Sequence, residues 1–293
     1  MNLERCYMTK GYIAIAQNNA ETDYLNLTYA MALSLKATQK ENAICVCVDE
    51  QTKALITDKH REVFDHIVDI PFGDPAIYQL WKIQNKWKYA HMTPFDETII
   101  LDCDQVFTGS VDHWWKHLAR KDVWACTNVK TFRGENATSD YYRTKFTELD
   151  LPNVYSNFTY FKKNEKGFEF FKMVELIMEN WTVFYDQFLK GKGQNWISAD
   201  VAYALAIKLL DIENEVCDYD IKDVPTFVHM KSYIQNVNRA KIDSVWTKSI
   251  TSDLADDGTV TIGNYKQNLP VHYVEKDWMT AEKIKVYERL LGI

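Results

Sequence analysis

The sequence predicts an α/β fold, a mostly parallel sheet flanked by helices with a smaller antiparallel or irregular C-terminal part. Three observations predict it. Short apolar runs alternate with helically spaced ones through the N-terminal half, the pattern of parallel strands joined by right-handed crossovers. Thr98-Ile99-Ile100-Leu101 is apolar at successive positions, as a strand buried on both faces must be. That run stops in Asp102-Cys103-Asp104, at the strand end where open α/β sheets bind ligands.

Taken in order, Gly11-Tyr12-Ile13-Ala14-Ile15-Ala16 reads as the first buried strand, with Gln17-Asn18-Asn19 as the loop at its tip. From Tyr24 to Lys36 the apolar positions Leu27, Met31, Ala32 and Leu35 recur at helical spacing. Ile44 to Val48 is a second strand closed by Asp49-Glu50, a helix is expected from Lys53 to Phe64, and His66 to Ile70 is a weaker third strand. Ile77 to Tyr89 reads as a helix rich in Lys and Trp, and Lys82 and Lys86, four apart, would share a face. After the acidic strand, Asp122 to Cys126 and Asn157 to Phe161 are further strands. The polar, aperiodic stretch from Lys130 to Asp150 is expected to be a loop or lid.

Lys166 to Trp181 is an amphipathic helix with Phe170, Val174, Ile177 and Met178 on one face. Val201 to Ile207 is a buried helix that Ser198 or Asp200 would cap. Thr226 to Lys231 is an apparent strand, Asp256-Asp257-Gly258-Thr259 a hairpin turn, and a terminal helix begins after Thr280.

Composition bounds the partners. The chain has 293 residues, 46% hydrophobic and 14% aromatic, enough for a large core. It holds no apolar run of membrane-spanning length and no signal-like N-terminus, so a cytoplasmic location is expected. The six cysteines form neither a zinc pattern nor a secreted disulfide framework. A net charge of -7 argues against bulk nucleic acid as a partner. Gly191-Lys192-Gly193 lacks the rest of a phosphate-binding P-loop.

Side chains two apart on extended backbone point the same way, so Asp102 and Asp104 would project together from the strand end. Two neighbouring carboxylates repel, and each is costly to desolvate without a compensating cation. A divalent metal supplies that compensation. A second Asp-x-Asp, Asp218-Tyr219-Asp220, has no such strand before it and is read as ordinary.

These pieces together resemble the metal-dependent GT-A glycosyltransferases, most closely the family 8 enzymes related to glycogenin and the bacterial galactosyltransferases. Leu101-Asp102-Cys103-Asp104 is similar to that family's Leu-Asp-Ala-Asp, and Asp112 falls at the spacing of a later family Asp. Tyr24 sits like the tyrosine that packs on the base. Lys86, with Lys82 as a rival, is similar to a lysine that reaches the donor. Tyr155 to Phe161 resembles the strand lining the sugar pocket, and Ser198-Ala199-Asp200 resembles the segment whose acid faces the transferred sugar. The family's C-terminal His-x-x-Gly-x-x-Lys-Pro-Trp is absent as such. His229-Met230-Lys231 and His272 to Trp278, the latter carrying Lys276, are alternatives for it.

The resemblance implies a Rossmann-like GT-A domain over 1–293. Its parts would be a nucleotide-binding half to about 126, a sugar and acceptor half to about 228, and a C-terminal extension completing the site. It implies Mn²⁺ or Mg²⁺ at Asp102, Asp104 and either His229 or His272. Tyr24, Lys82, Lys86, Cys103 and Lys276 would contact the donor, and Asp200 and Asn157 the sugar. The expected function is retaining transfer of a hexose from a nucleotide sugar, UDP-linked, to an acceptor hydroxyl, with a homodimer admitted. Two alternatives share the fold: a sugar-nucleotide nucleotidylyltransferase, which should carry a Gly-rich basic loop where Gln17-Asn18-Asn19-Ala20 stands, and a non-catalytic nucleotide- or carbohydrate-binding protein.

Overall fold

The computed structural model describes residues 8–79, 82–137, 143–189, 192, 195–219, 224–230, 252–273 and 275–293. The apolar runs become strands. β1 (Lys10–Ala16), β2 (Ile44–Val48), β3 (His66–Asp69) and β4 (Glu97–Leu101) are followed by the two-residue β5 (Gln105–Val106), then β6 (Val123–Cys126) and β7 (Tyr155–Lys162). Six of them form one sheet in the order β3-β2-β1-β4-β7-β6. The first four in that order are parallel, while β7 runs antiparallel to both β4 and β6.

Every residue of β2 and β4 is buried, because helices cover both faces. The pleat deals alternate residues to two cores. Tyr12, Val46, Ile99 and Leu101 join the helix Tyr24–Thr38 and the C-terminal helix Ala281–Leu291 on one side. Ile13, Cys45, Cys47 and Ile100 join the helices Glu165–Glu179 and Ala199–Leu209 on the other. Phe170, Val174, Ile177 and Met178 are all buried, as their spacing requires. Asp23 caps the helix Tyr24–Thr38 by accepting from the Asn26 amide, and Thr280 caps the terminal helix by accepting from the Lys283 amide.

The C-terminal part adds β8 (Val228–His229), β9 (Ser252–Leu254), β10 (Val260–Ile262), β11 (Tyr265–Lys266) and β12 (Val271–His272). β9, β10 and β11 form an antiparallel sheet whose first turn contains Gly258 at a φ of 81°, a left-handed angle that glycine adopts without strain. β12 lies between β5 and β8, antiparallel to the first and parallel to the second. This strap carries the end of the chain onto the acidic turn.

Several local expectations are corrected. Among the described residues from Ile77 to Tyr89, a turn ends at Tyr78 and a six-residue 3₁₀ helix, Ile83–Lys88, leads into the short helix Tyr89–Met92. Its three-residue repeat buries Asn85 and Lys88 together, and the Lys88 ammonium donates to the Gly73 carbonyl at 2.5 Å. The helix expected over Lys53 to Phe64 is two shorter ones, Glu50–Lys53 and Asp58–Val63, because Thr57 restarts the helix. In the stretch after Lys130, Lys130 pairs with Asn136 and Val228, and Thr144–Glu148 is helical. Ser198 stands at a helix N-cap without a side-chain capping bond. Lys231, Gly191, Gly193 and Asp220 lie outside the described residues. Among the described residues no helix is long and apolar enough to cross a membrane.

Candidate active site

Where β4 ends, the chain turns through Asp102-Cys103-Asp104 into β5, and all three residues line a cavity of about 300 Å³. Asp104 is buried and Asp102 half-buried. The chain supplies a cation to each. Lys86, on the 3₁₀ helix, places Nζ 2.5 Å from Asp102 Oδ1. Lys276 donates to Asp104 Oδ2, and His272 Nε2 lies 3.0 Å from the same oxygen. Burial opposes ionisation of Asp104, but His272 and Lys276 outweigh it and hold the carboxyl far below the usual range. Burial likewise favours neutral amines at Lys86 and Lys276, and their carboxylate partners reverse this and raise both pKa values.

Pairing of β12 with β5 and β8 decides which histidine reaches the acids. His272 sits opposite Gln105, one residue beyond Asp104, and the Tyr273 amide donates to the Asp104 carbonyl at 3.1 Å. Asp102, Asp104 and His272 offer ligand atoms that all lie within 4.8 Å of one another, the group among the described residues able to hold a metal ion. His229 is in register with His272 on β8, its ring 5.1 Å away, and is not a member of that group.

Tyr24 opens its helix at the cavity wall, and the Lys276 ammonium stands 5.8 Å from its ring centroid. Burial raises the Tyr24 pKa, so the ring stays neutral. Cys103 is a poor metal ligand: burial pushes its thiol up to about 12, and Sγ donates to the Ile15 carbonyl at 3.0 Å. Lys82 also lines the cavity, with Nζ donating to the Ile77 carbonyl at 2.6 Å. Asp112 is remote from that lining; it accepts from the Lys40 and Glu41 amides.

Asp200 faces the acids from the first turn of the helix Ala199–Leu209. Its Oδ1 accepts from the Ser156 amide at 2.9 Å and hydroxyl at 2.6 Å, and its Oδ2 is 2.5 Å from Arg143. Burial again opposes ionisation, and the Arg143 charge with the Ser156 hydrogen bonds lowers the pKa regardless. Arg143 is wedged between the rings of Tyr155 at 3.9 Å and Phe146 at 4.2 Å. On β7 the cavity is lined by Ser156. Asn157 lies behind, with Nδ2 3.4 Å from His272 Nδ1 and its carbonyl accepting from Gln105.

This architecture can be matched to solved proteins. The galactosyltransferase LgtC, solved with donor and acceptor sugar analogues, superposes with a TM-score of 0.55 over 96% of this chain and 95% of that one, at 18% identity. An active-site mutant of LgtC matches over the same shares at a TM-score of 0.50 and 14% identity. The fold is that of the GT-A glycosyltransferases. A weaker likeness, TM-score 0.44 and 9% identity, links 73% of the chain to GlyE of Streptococcus pneumoniae, of whose length it spans 45%. No family model matches the chain, and no curated protein matches its sequence.

On that fold the cavity lies at the carboxyl ends of β1 and β4, and it brings together Tyr24, Lys82, Lys86, Asp102, Cys103, Asp104, Asp200, His272 and Lys276. It also contains residues that sequence reasoning missed. Gln17, just past β1, lines the cavity and donates to Asp49 at 3.1 Å and Asp74 at 2.9 Å. Ser156 was overlooked beside Asn157, and Arg143 lay in an aperiodic stretch with no pattern to single it out. The available signal for Gln17 was its place at the tip of the first strand of an α/β sheet.

Proposed function

We propose that the chain is a glycosyltransferase that moves a hexose from a nucleotide-sugar donor, of the UDP type, to an acceptor hydroxyl with retention at the anomeric carbon. The observation that carries this reading is the Asp102, Asp104 and His272 cluster, with its ligand atoms within 4.8 Å, in a cavity that also presents Lys86 and Lys276. Two carboxylate oxygens and one imidazole nitrogen suit Mn²⁺, with Mg²⁺ as the harder alternative. Such an ion would bind the diphosphate and stabilise its charge as the donor bond breaks.

The chain's own residues do the rest. Lys276 and Lys86 now neutralise the carboxylates that would hold the metal, so on metal binding both ammonium groups become available to phosphate oxygens. The Tyr24 ring gives the base a flat apolar surface. Asp200, kept ionised and rigid by Arg143 and Ser156, accepts hydrogen bonds from sugar hydroxyls. Asn157 orients His272 from behind, a positioning role.

Incubation with UDP-glucose or UDP-galactose and Mn²⁺, with free UDP as the readout, tests the reading. Slow UDP release, abolished by EDTA and by Asp102→Asn, is expected. Pyrophosphate-dependent formation of UTP would overturn it in favour of a nucleotidylyltransferase, and tight UDP binding without any release would mark a binding protein.

A further inference from the structure

A second and larger cavity, about 980 Å³, adjoins the first. Ile83 lines both, and the wall segment Asn195-Trp196-Ile197 of the outer cavity runs directly into Ser198-Ala199-Asp200 of the inner one. The two therefore share a wall at Ile83 and at the start of the helix Ala199–Leu209. The outer volume stands at the upper end of small-molecule sites, about 300–1,000 Å³, and so has room for several rings.

The lining chemistry identifies the class of occupant. Gln79, Gln84, Asn180 and Asn195 contribute four carboxamides, each able to donate and accept, and Trp181 and Trp196 contribute indole faces. Among the described residues, Glu179 is the one charged member of the lining. A phosphorylated or nucleic ligand would need cations here and finds none among these residues. A neutral saccharide, with hydroxyl edges for amides and C–H faces for indoles, fits.

Two details show a built surface. The Trp181 indole donates to the Asn195 carbonyl at 2.8 Å, pinning the wall that carries Trp196, while Trp196 itself is left 65% exposed. Gln84 Oε1 is buried at this cavity without a hydrogen-bond partner among the described residues, an acceptor that a ligand hydroxyl would satisfy.

We propose that this outer cleft seats the further sugar units of a neutral oligosaccharide acceptor, with Trp196 as the stacking platform. The proposal rests on the transferase reading for the word acceptor, but the saccharide binding it asserts does not need turnover. The acceptor's terminal hydroxyl would lie toward Ser198 and Asp200, where the cavities meet.

Binding of maltose-, cellulose- and lactose-series saccharides of one to five hexose units, followed by saturation-transfer NMR without donor, provides the test. In the wild type, affinity in one series should rise at least tenfold between one and four units. Trp196→Ala should remove about tenfold of the tetrasaccharide affinity, and Trp196→Phe should restore most of it. Trp196 is at the surface, so neither variant should compromise folding. Absence of length-dependent binding in every series, or equal binding by wild type and Trp196→Ala, would overturn the proposal. UDP release by the wild type is scored separately: its failure alongside length-dependent binding would remove the transferase reading and leave the cleft standing.

Discussion

Asp218 and Asp104 are both buried aspartates from Asp-x-Asp segments, and both are held by a lysine and a histidine. Asp218 takes hydrogen bonds from His117 Nε2, Lys121 Nζ and Trp124 Nε1, each at 2.9 Å, and it lines neither of the two cavities. Its compensation is complete and closed. Asp104 has His272 and Lys276, but it opens on a cavity and has a second carboxylate, Asp102, beside it. Under the proposed function its two basic partners are provisional and give way to a divalent cation. Charge and burial are thus the same in the two places, and access to the cavity separates an internal tie from a binding site.

The contrast breaks first at Asp218. Asp218→Ala would leave the buried Trp124 indole N–H without an acceptor and the half-buried Lys121 and His117 without their carboxylate, costing about 2–3 kcal/mol. At roughly 2–4 °C per kcal/mol in a chain of this size, the melting midpoint should fall by about 4–12 °C, read by calorimetry, with UDP binding unchanged. Asp104→Asn should act in reverse. Mn²⁺-dependent UDP affinity should fall about a hundredfold, read by titration calorimetry, because a metal ligand is lost. The midpoint should move less, since His272 and Lys276 line the cavity and the asparagine amide oxygen keeps an acceptor beside them.

Lys276→Gln separates the two roles proposed for this lysine. Removing the provisional cation should leave Mn²⁺ binding in the absence of nucleotide as tight or tighter, while UDP affinity drops about tenfold through the lost phosphate contact. An internal tie would show neither change. The smallest effect concerns acid stability. Burial disfavours the Asp218 anion, but the Lys121 and His117 hydrogen bonds win and depress its folded pKa. A depressed carboxylate stabilises the fold above its unfolded pKa, about 3.9, and the contribution is lost as pH falls through the folded value. Asp218→Asn should therefore flatten the stability curve below about pH 4 by about 1 kcal/mol, measured by urea unfolding.

Much of the fold could be read from local pattern. Ile99-Ile100-Leu101 is buried on both faces, the Phe170, Val174, Ile177 and Met178 stripe faces the core, and Thr280 caps the last helix. Asp102 and Asp104 were legible because a carboxylate pair at the end of such a strand contradicts its surroundings. The choices left open, His272 or His229 and Lys86 or Lys82, and the residues missed, Arg143 and Ser156, depend on pairing without periodicity. His272 reaches Asp104 across 168 residues through strands two residues long, too short to leave an alternation in the sequence. Lys86 is set by a 3₁₀ helix that reads as an α-helix in outline, and Arg143 stands in a polar stretch where nothing marks its ring sandwich. Asn157 was chosen over Ser156 on likeness alone, and one step along a strand exchanges the face presented to the cavity.

The proposed function stands on binding of a nucleotide diphosphate through a metal ion at Asp102, Asp104 and His272. Titration calorimetry of UDP with and without Mn²⁺ on wild type, His272→Ala and His229→Ala tests it most directly. Mn²⁺-dependent binding is expected in the wild type, retained in His229→Ala and weakened at least tenfold in His272→Ala. UDP binding that is indifferent to Mn²⁺, or that survives His272→Ala and fails in His229→Ala, would contradict it.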